Sequence, residues 1–293
     1  MEELPQEKKA ETADREPLIE KIYLAALAEH ARFKDFPEVE IKSVIKSALV
    51  EIENMENSAD PKIALEALTP EVAEKITALW DFSGPGTYDN PTKEDRYKNY
   101  SWAKNMDRNR LSYTAWLARK IAEVRGGKSP SLGPVEETRR RNISTKELIE
   151  QSGPGIIYNG TEVENAVVNS VLERTGIIIP KKNVTVLGDG IKNTSDQVSQ
   201  FSLPEHLHRT GGEIGLISHA PQLMRIVHML ERFQTLPKDM TVRLFPIATP
   251  TLGKENYAIL EIKGLLYYIY ISGNHNAEKN SYPYTIHGST KTK

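Results

Sequence analysis

The segment Glu213-Ile214-Gly215-Leu216-Ile217-Ser218-His219-Ala220-Pro221-Gln222 decides the fold. Its first five residues read as a buried strand, which breaks off at the polar pair Ser218-His219. Ala220-Pro221 then opens a helical pattern over 221–233, with Gln222 and Arg225 in its first turns. A strand that runs through hydroxyl and imidazole groups into a helix start is how open α/β proteins build anion sites.

Four other apolar runs, at 76–82, 156–158, 184–187 and 242–247, end in polar clusters in the same way. Helical patterns at 108–125, 162–175 and 195–209 separate them, alongside the one at 221–233. Strands alternating with helices of this length predict a Rossmann-like α/β fold. It is an open parallel sheet of about five strands with helices on both faces. Thr161 with Glu164, Thr194 with Gln197 and Ser144 with Glu147 each have the spacing of a reciprocal helix cap.

The flanks read differently. Residues 1–16 are charged and mixed in sign, as a solvated tail is. Leu18, Ile22, Leu24, Ala25 and Leu27, then Val39, Ile41, Val44, Ile45, Leu49, Ile52 and Met55, recur at helical spacing. The stretch 57–61, ending in Asp60-Pro61, reads as a breaker, and a short helix is expected at 70–74. Residues 1–70 are thus an N-terminal tail and helical region, and 71–250 an α/β domain. Residues 251–293 hold a final helix or strand, with helix favoured by length at 255–271, and a tail from 273. The connection 126–155, with Arg139-Arg140-Arg141, is far longer than a usual αβ loop.

Composition narrows the function. At 293 residues, 39% apolar and 27% charged, the chain has material for a sizeable core. A net charge of -2 gives no reason to expect nucleic acid or anionic lipid as partner. There is no cysteine, which removes disulfides, thiolate metal sites and cysteine nucleophiles. The most apolar run, 257–272, is interrupted by Glu261 and Lys263, too short and too charged for a membrane span. A cytoplasmic location is expected.

In an open parallel sheet the ligand lies beyond the carboxyl ends of the strands. Candidate ligand-binding residues are therefore Gly84 and Gly86, Asn159 and Gly160, Asn193 and Thr194, then Ser218, His219 and Gln222, with Thr249 after the last run. Arg108, Arg110 and Arg225 sit near helix starts, where they can clamp phosphate or carboxylate. Turn chemistry alone would also place Gly, Asn and Ser at these points, and an arginine there can form a plain salt bridge. His219 is the candidate proton carrier, or else a strand-end histidine bonded to a neighbouring loop. No His/Asp/Glu group has metal-ligand spacing, so no metal is predicted. A third glycine after Gly84-Pro85-Gly86, a P-loop and a nucleophile elbow are all missing.

The block Asn193-Thr194-Ser195-Asp196-Gln197, a helix, then Ile217-Ser218-His219-Ala220-Pro221-Gln222-Leu223-Met224-Arg225 resembles the bacterial YdcF-like family, which includes the SanA and ElyC proteins. Tyr158-Asn159-Gly160 with Glu162 or Glu164 is similar to that family's serine–glycine turn and acidic helix start. The run from Asp81 to Gly86, with Arg110-Leu111 beyond, looks like its first glycine loop and following arginine. The resemblance covers about residues 76–250. Gln222 stands where the family has histidine, Gln197 where it has asparagine, and His219 at a serine position. A glutamine cannot carry a proton, but it can still bind.

The resemblance implies an α/β fold and either S-adenosylmethionine binding or handling of cell-envelope polysaccharide. The expected function is a soluble, nucleotide-like small-molecule binder, with S-adenosylmethionine the leading ligand. The alternative is an enzyme on a phosphorylated, nucleotide-sugar or envelope-polysaccharide precursor, with Arg110 and Arg225 holding the anion and His219 moving a proton. A third reading makes the amphipathic N-terminal helices the functional part, docking a protein or a second copy of the chain.

Overall fold

The computed structural model describes residues 15–84, 106–128, 142–162, 164–166, 168, 179–188, 190–273, 281–286 and 289–291. Gly86, the Arg139-Arg140-Arg141 run and the side chain of Arg108 lie outside the described residues.

The N-terminal region is helical, as its apolar spacing predicts. Helices α1 (Glu16–Glu29) and α2 (Glu38–Asn57) are joined by a 3-10 turn. Asp60-Pro61 does more than break the chain. The Asp60 carboxylate accepts the Lys62 N–H at 2.8 Å, and Pro61 opens a further helix, α3 (Pro61–Ala67). Thr69 caps α4 (Pro70–Lys75), which leads into the sheet.

Strand β1 (Ile76–Asp81) is followed by α5 (Met106–Arg125) and α6 (Asn142–Ser152), then β2 (Gly155–Tyr158). Helix α6 begins at Asn142, so Ser144 lies within its span, and the side chain of Ser144 lies outside the described residues. Next come β3 (Val184–Val186), α7 (Thr194–Ser199), β4 (Glu213–His219) and α8 (Ala220–Phe233). The chain ends with β5 (Thr241–Ile247), α9 (Lys254–Leu266) and its π-turn extension Tyr267–Ile271, β6 (Tyr284–Ile286) and β7 (Ser289–Lys291). All five expected strands form, and 255–271 is helical.

Two expectations about the extent of the elements fail. The helix read at 195–209 stops at Ser199, and Pro204 admits only a 3-10 turn, Glu205–Leu207. Strands β6 and β7 lie in the presumed tail; three-residue strands are too short to show alternation, yet Tyr284 joins the core.

The sheet runs β3-β2-β1-β4-β5-β6-β7, parallel except for β7. Strands β1, β2 and β4 are wholly buried, as strands covered on both faces must be. Gly215 is required in β4, since a Cβ there would lie 2.7 Å from Leu79 and 2.9 Å from Phe245. The apolar faces of α1 and α2 enter the same core as α8 and α9, through residues such as Ile22, Ile45, Ile52, Leu223, Val227 and Ile262. The N-terminal helices therefore bury their stripe against the chain's own sheet-covering helices.

Candidate functional site

This strand order reverses direction of winding between β1 and β4, so the crevice of an open α/β sheet belongs beyond Asp81 and His219. That is where the buried polar residues gather. Arg110, Asn159, Ser218, His219 and Gln222 are at most 1% exposed, and Asp81 is at 0%.

Asp81 ends β1. One of its oxygens, Oδ2, accepts from Thr114 Oγ1 of α5 at 2.6 Å. Its other oxygen, Oδ1, is buried and has no hydrogen-bond partner among the described residues. Burial pushes this carboxyl up to about 7, against the opposing pull of the Thr114 hydroxyl and the Arg110 charge.

His219 ends β4. Arg110 Nη1 lies 3.0 Å from its Nδ1. A guanidinium only donates, so Nδ1 accepts and the ring proton sits on Nε2. Burial first, and the Arg110 charge second, hold the histidine well below its ordinary pKa, so the ring is neutral at pH 7. Its Nε2 is likewise buried without a partner among the described residues.

Around this pair a second layer is closed by glutamines. Gln222 Nε2 donates to the Ser83 carbonyl at 2.7 Å. Its Oε1 accepts from Ser218 Oγ at 2.5 Å and from Tyr257 of α9 at 3.2 Å. Gln197 Nε2 lies 2.7 Å from Ser83 Oγ and 2.8 Å from the Asn159 carbonyl. A side chain at Gly84 would bring its Cβ within 2.5 Å of Gln222 Oε1, so glycine lets the loop close on the glutamine. Asn159 is fully engaged too: it accepts the Trp80 indole N–H at 2.8 Å and donates to the Gln197 carbonyl at 2.7 Å. Trp80 is stacked between Phe82 and Phe201, so its N–H needs this buried acceptor. Gly160 follows, its N–H held by Asn165 Oδ1 at 2.9 Å, while Thr161 and Glu164 form the expected capping box.

The remaining expected residues lie elsewhere. Asn193, not Thr194, caps α7, accepting the Asp196 N–H at 3.1 Å. The Gln197 side chain is turned to Ser83, so the expected Thr194–Gln197 cap does not form. Thr194 Oγ1 instead accepts from Arg225, whose Nε is 2.8 Å from the buried Glu261. Asn193, Thr194 and Arg225 line a groove on the other side of this contact. Thr249 gives its N–H to Glu56 of α2 at 3.2 Å, so the fifth loop is braced by the N-terminal region.

The structure thus joins Gly84, Arg110, Asn159, Ser218, His219 and Gln222 in one cluster with Ser83, Asp81, Thr114, Gln197 and Tyr257. Asp81 and Thr114 were not singled out by sequence. Asp81 is the one charged residue in the run at 76–82, the signal that would have found it. Thr114 looks like any polar residue of a helix. Compared with protein-family models, curated proteins and solved structures, the chain matches none.

Proposed function

We propose that this chain binds a small anionic, nucleotide-like molecule beyond the ends of β1 and β4, with S-adenosylmethionine the first ligand to test. The carrying observation is that two buried atoms without a partner among the described residues, Asp81 Oδ1 and His219 Nε2, belong to side chains both coupled to Arg110 at the winding reversal. Buried polar groups left open in a folded protein call for an explanation, and a ligand supplies one. The ligand presents an acceptor to His219 Nε2–H, a donor to Asp81 Oδ1 and negative charge to Arg110. The likeness to the YdcF-like family supports the same reading, and the absence of cysteine supports a cytoplasmic location. No helix among the described residues is long and apolar enough to cross a membrane.

Calorimetric titration with S-adenosylmethionine, S-adenosylhomocysteine and common nucleotides tests the proposal. One of them binds one-to-one, and at a hundred times its Kd it adds about 2.7 kcal/mol of stability. Asp81→Asn and His219→Phe each weaken binding at least tenfold while still melting cooperatively. Unchanged affinity in both variants removes the site.

A second reading rests on the same pair. A carboxyl held at about 7 and a neutral histidine, each under the influence of Arg110, are suited to proton transfer near neutral pH. In that reading the ligand is a phosphorylated or nucleotide-sugar substrate, and His219→Ala abolishes turnover while leaving binding within a few-fold.

A further inference from the structure

A groove of about 760 Å³ runs along α8, walled by α7, α9 and the end of α1. Most of its charges close on themselves. Lys263 is bound to Glu29, and Arg225 to Glu261 at 2.8 Å. Two charges do not.

At one end Arg232 lies over the rings of Tyr268 and Phe233, 5.4 and 5.6 Å from their centroids. It makes no ion pair among the described residues. An arginine stacked on rings keeps its N–H fork available and can take a further ring on its other face. Tyr267, 44% exposed, extends this aromatic wall. At the other end stands Asp196. Its Oδ2 accepts from the Lys192 N–H at 2.9 Å and Asn193 Nδ2 at 3.1 Å, and no cation pairs with it among the described residues. Thr194, on the same turn of α7, is bonded to Arg225, and Arg225 precedes Arg232 by seven positions on α8. Seven residues of helix rise about 10 Å.

Arg225 and Arg232 thus stand about 10 Å apart along α8, and Asp196 lies on the turn of α7 that Arg225 reaches, so the groove carries a negative group and a positive, aromatic one on that scale. An extended chain covers that distance in about three residues. We propose that this groove is a second binding site, for a short peptide with a free amino end and an aromatic carboxyl-terminal residue. The terminal carboxylate meets the Arg232 fork, the ring lies on the Phe233–Tyr267–Tyr268 wall, and the ammonium meets Asp196.

Titration of the full chain with Gly-Gly-Phe, its carboxyl-terminal amide, its N-acetyl form and Gly-Gly-Ala separates these contributions. Gly-Gly-Phe binds saturably and one-to-one, and each of the other three binds at least tenfold more weakly. Arg232→Ala makes the free acid and the amide equal, and Asp196→Asn makes the free and acetylated amines equal. Arg232→Lys, which keeps the charge but not the planar stack, gives an intermediate affinity. Asp81→Asn and His219→Phe leave the peptide titration unchanged, so failure here and failure of the carboxyl-edge ligand are told apart. Absence of saturable binding, equal binding of all four peptides, or loss of peptide binding in the Asp81 and His219 variants overturns the proposal.

Discussion

The two ends of the central strands hold buried charges in opposite conditions. At the amino edge, Glu213 of β4 and Arg243 of β5 form a two-pronged pair, Nε to Oε2 at 2.5 Å and Nη2 to Oε1 at 3.2 Å. Each carboxylate oxygen has its donor, and nothing is left for a ligand. At the carboxyl edge Asp81, Arg110 and His219 are more deeply buried, yet one oxygen and one ring nitrogen have no partner among the described residues. A closed pair fixes the register of neighbouring strands; an open cluster leaves the fold unfinished at the place where this topology puts its ligand. Burial of charge alone therefore does not mark a site. Open hydrogen bonds at the winding reversal do.

Removing half of the closed pair gives the largest effect. Arg243→Ala strands a buried carboxylate, and urea unfolding at pH 7 shows a loss of about 3–5 kcal/mol. Replacing both members with leucine restores most of that stability, because two desolvated charges leave together. If the single and the double variant are equally damaged, the two charges do not compensate one another.

The open cluster behaves differently, and pH reveals it. Asp81 has its folded pKa raised from 3.8 to about 7, so between those values the folded state holds a proton that the unfolded chain has lost. By linkage its contribution is fully present below about pH 4 and is lost as pH rises through 7. His219, lowered by burial, works in the opposite sense and loses stability as pH falls below its ordinary pKa. Comparing the parent with Asp81→Asn cancels the histidine. The variant gains on the parent by roughly 2–4 kcal/mol in going from pH 4 to pH 7, about 1.4 kcal/mol for each pKa unit before relaxation. Equal pH profiles in the two proteins would mean that Asp81 titrates as an ordinary surface carboxylate.

How much of this could be read in the chain depends on the range over which a residue acts. The five parallel strands were legible because each is an apolar run closed by polar turn residues, which is a local pattern. The rim loops after β1, β2 and β4 followed from topology, and they meet as expected. What escaped was decided at a distance. The choice of Asn193 over Thr194 as the cap follows from Gln197 being drawn across to Ser83 and Asn159. The diversion of Arg225 follows from Glu261, which lies on a helix built from the far end of the chain. The hairpin of β6 and β7 is held by pairing with β5, not by its own pattern. The break at 57–61 stands where it was expected, and what went unread is that its last pair, Asp60-Pro61, also begins the next helix.

The smallest effect comes from the layer that separates the open cluster from the rest of the core. Gln222 answers Ser83, Ser218 and Tyr257 at once, and Gly84 gives it room. Gly84→Ala would press a methyl to 2.5 Å from Gln222 Oε1, an approach that a flexible amide escapes by swinging away. It then gives up one or more neutral hydrogen bonds, each with a net contribution of about 1 kcal/mol. Gly84→Ala accordingly destabilises by about 1–2 kcal/mol, and Gln222→Ala by a similar amount, since it removes the acceptor shared by the two hydroxyls and one of the donors to the Ser83 carbonyl. In the double variant the methyl meets no amide, so the combined loss falls short of the sum by about 1 kcal/mol. Strict additivity would place the cost of the methyl in the backbone of the β1 loop, and the glutamine layer would no longer explain why glycine stands at that position.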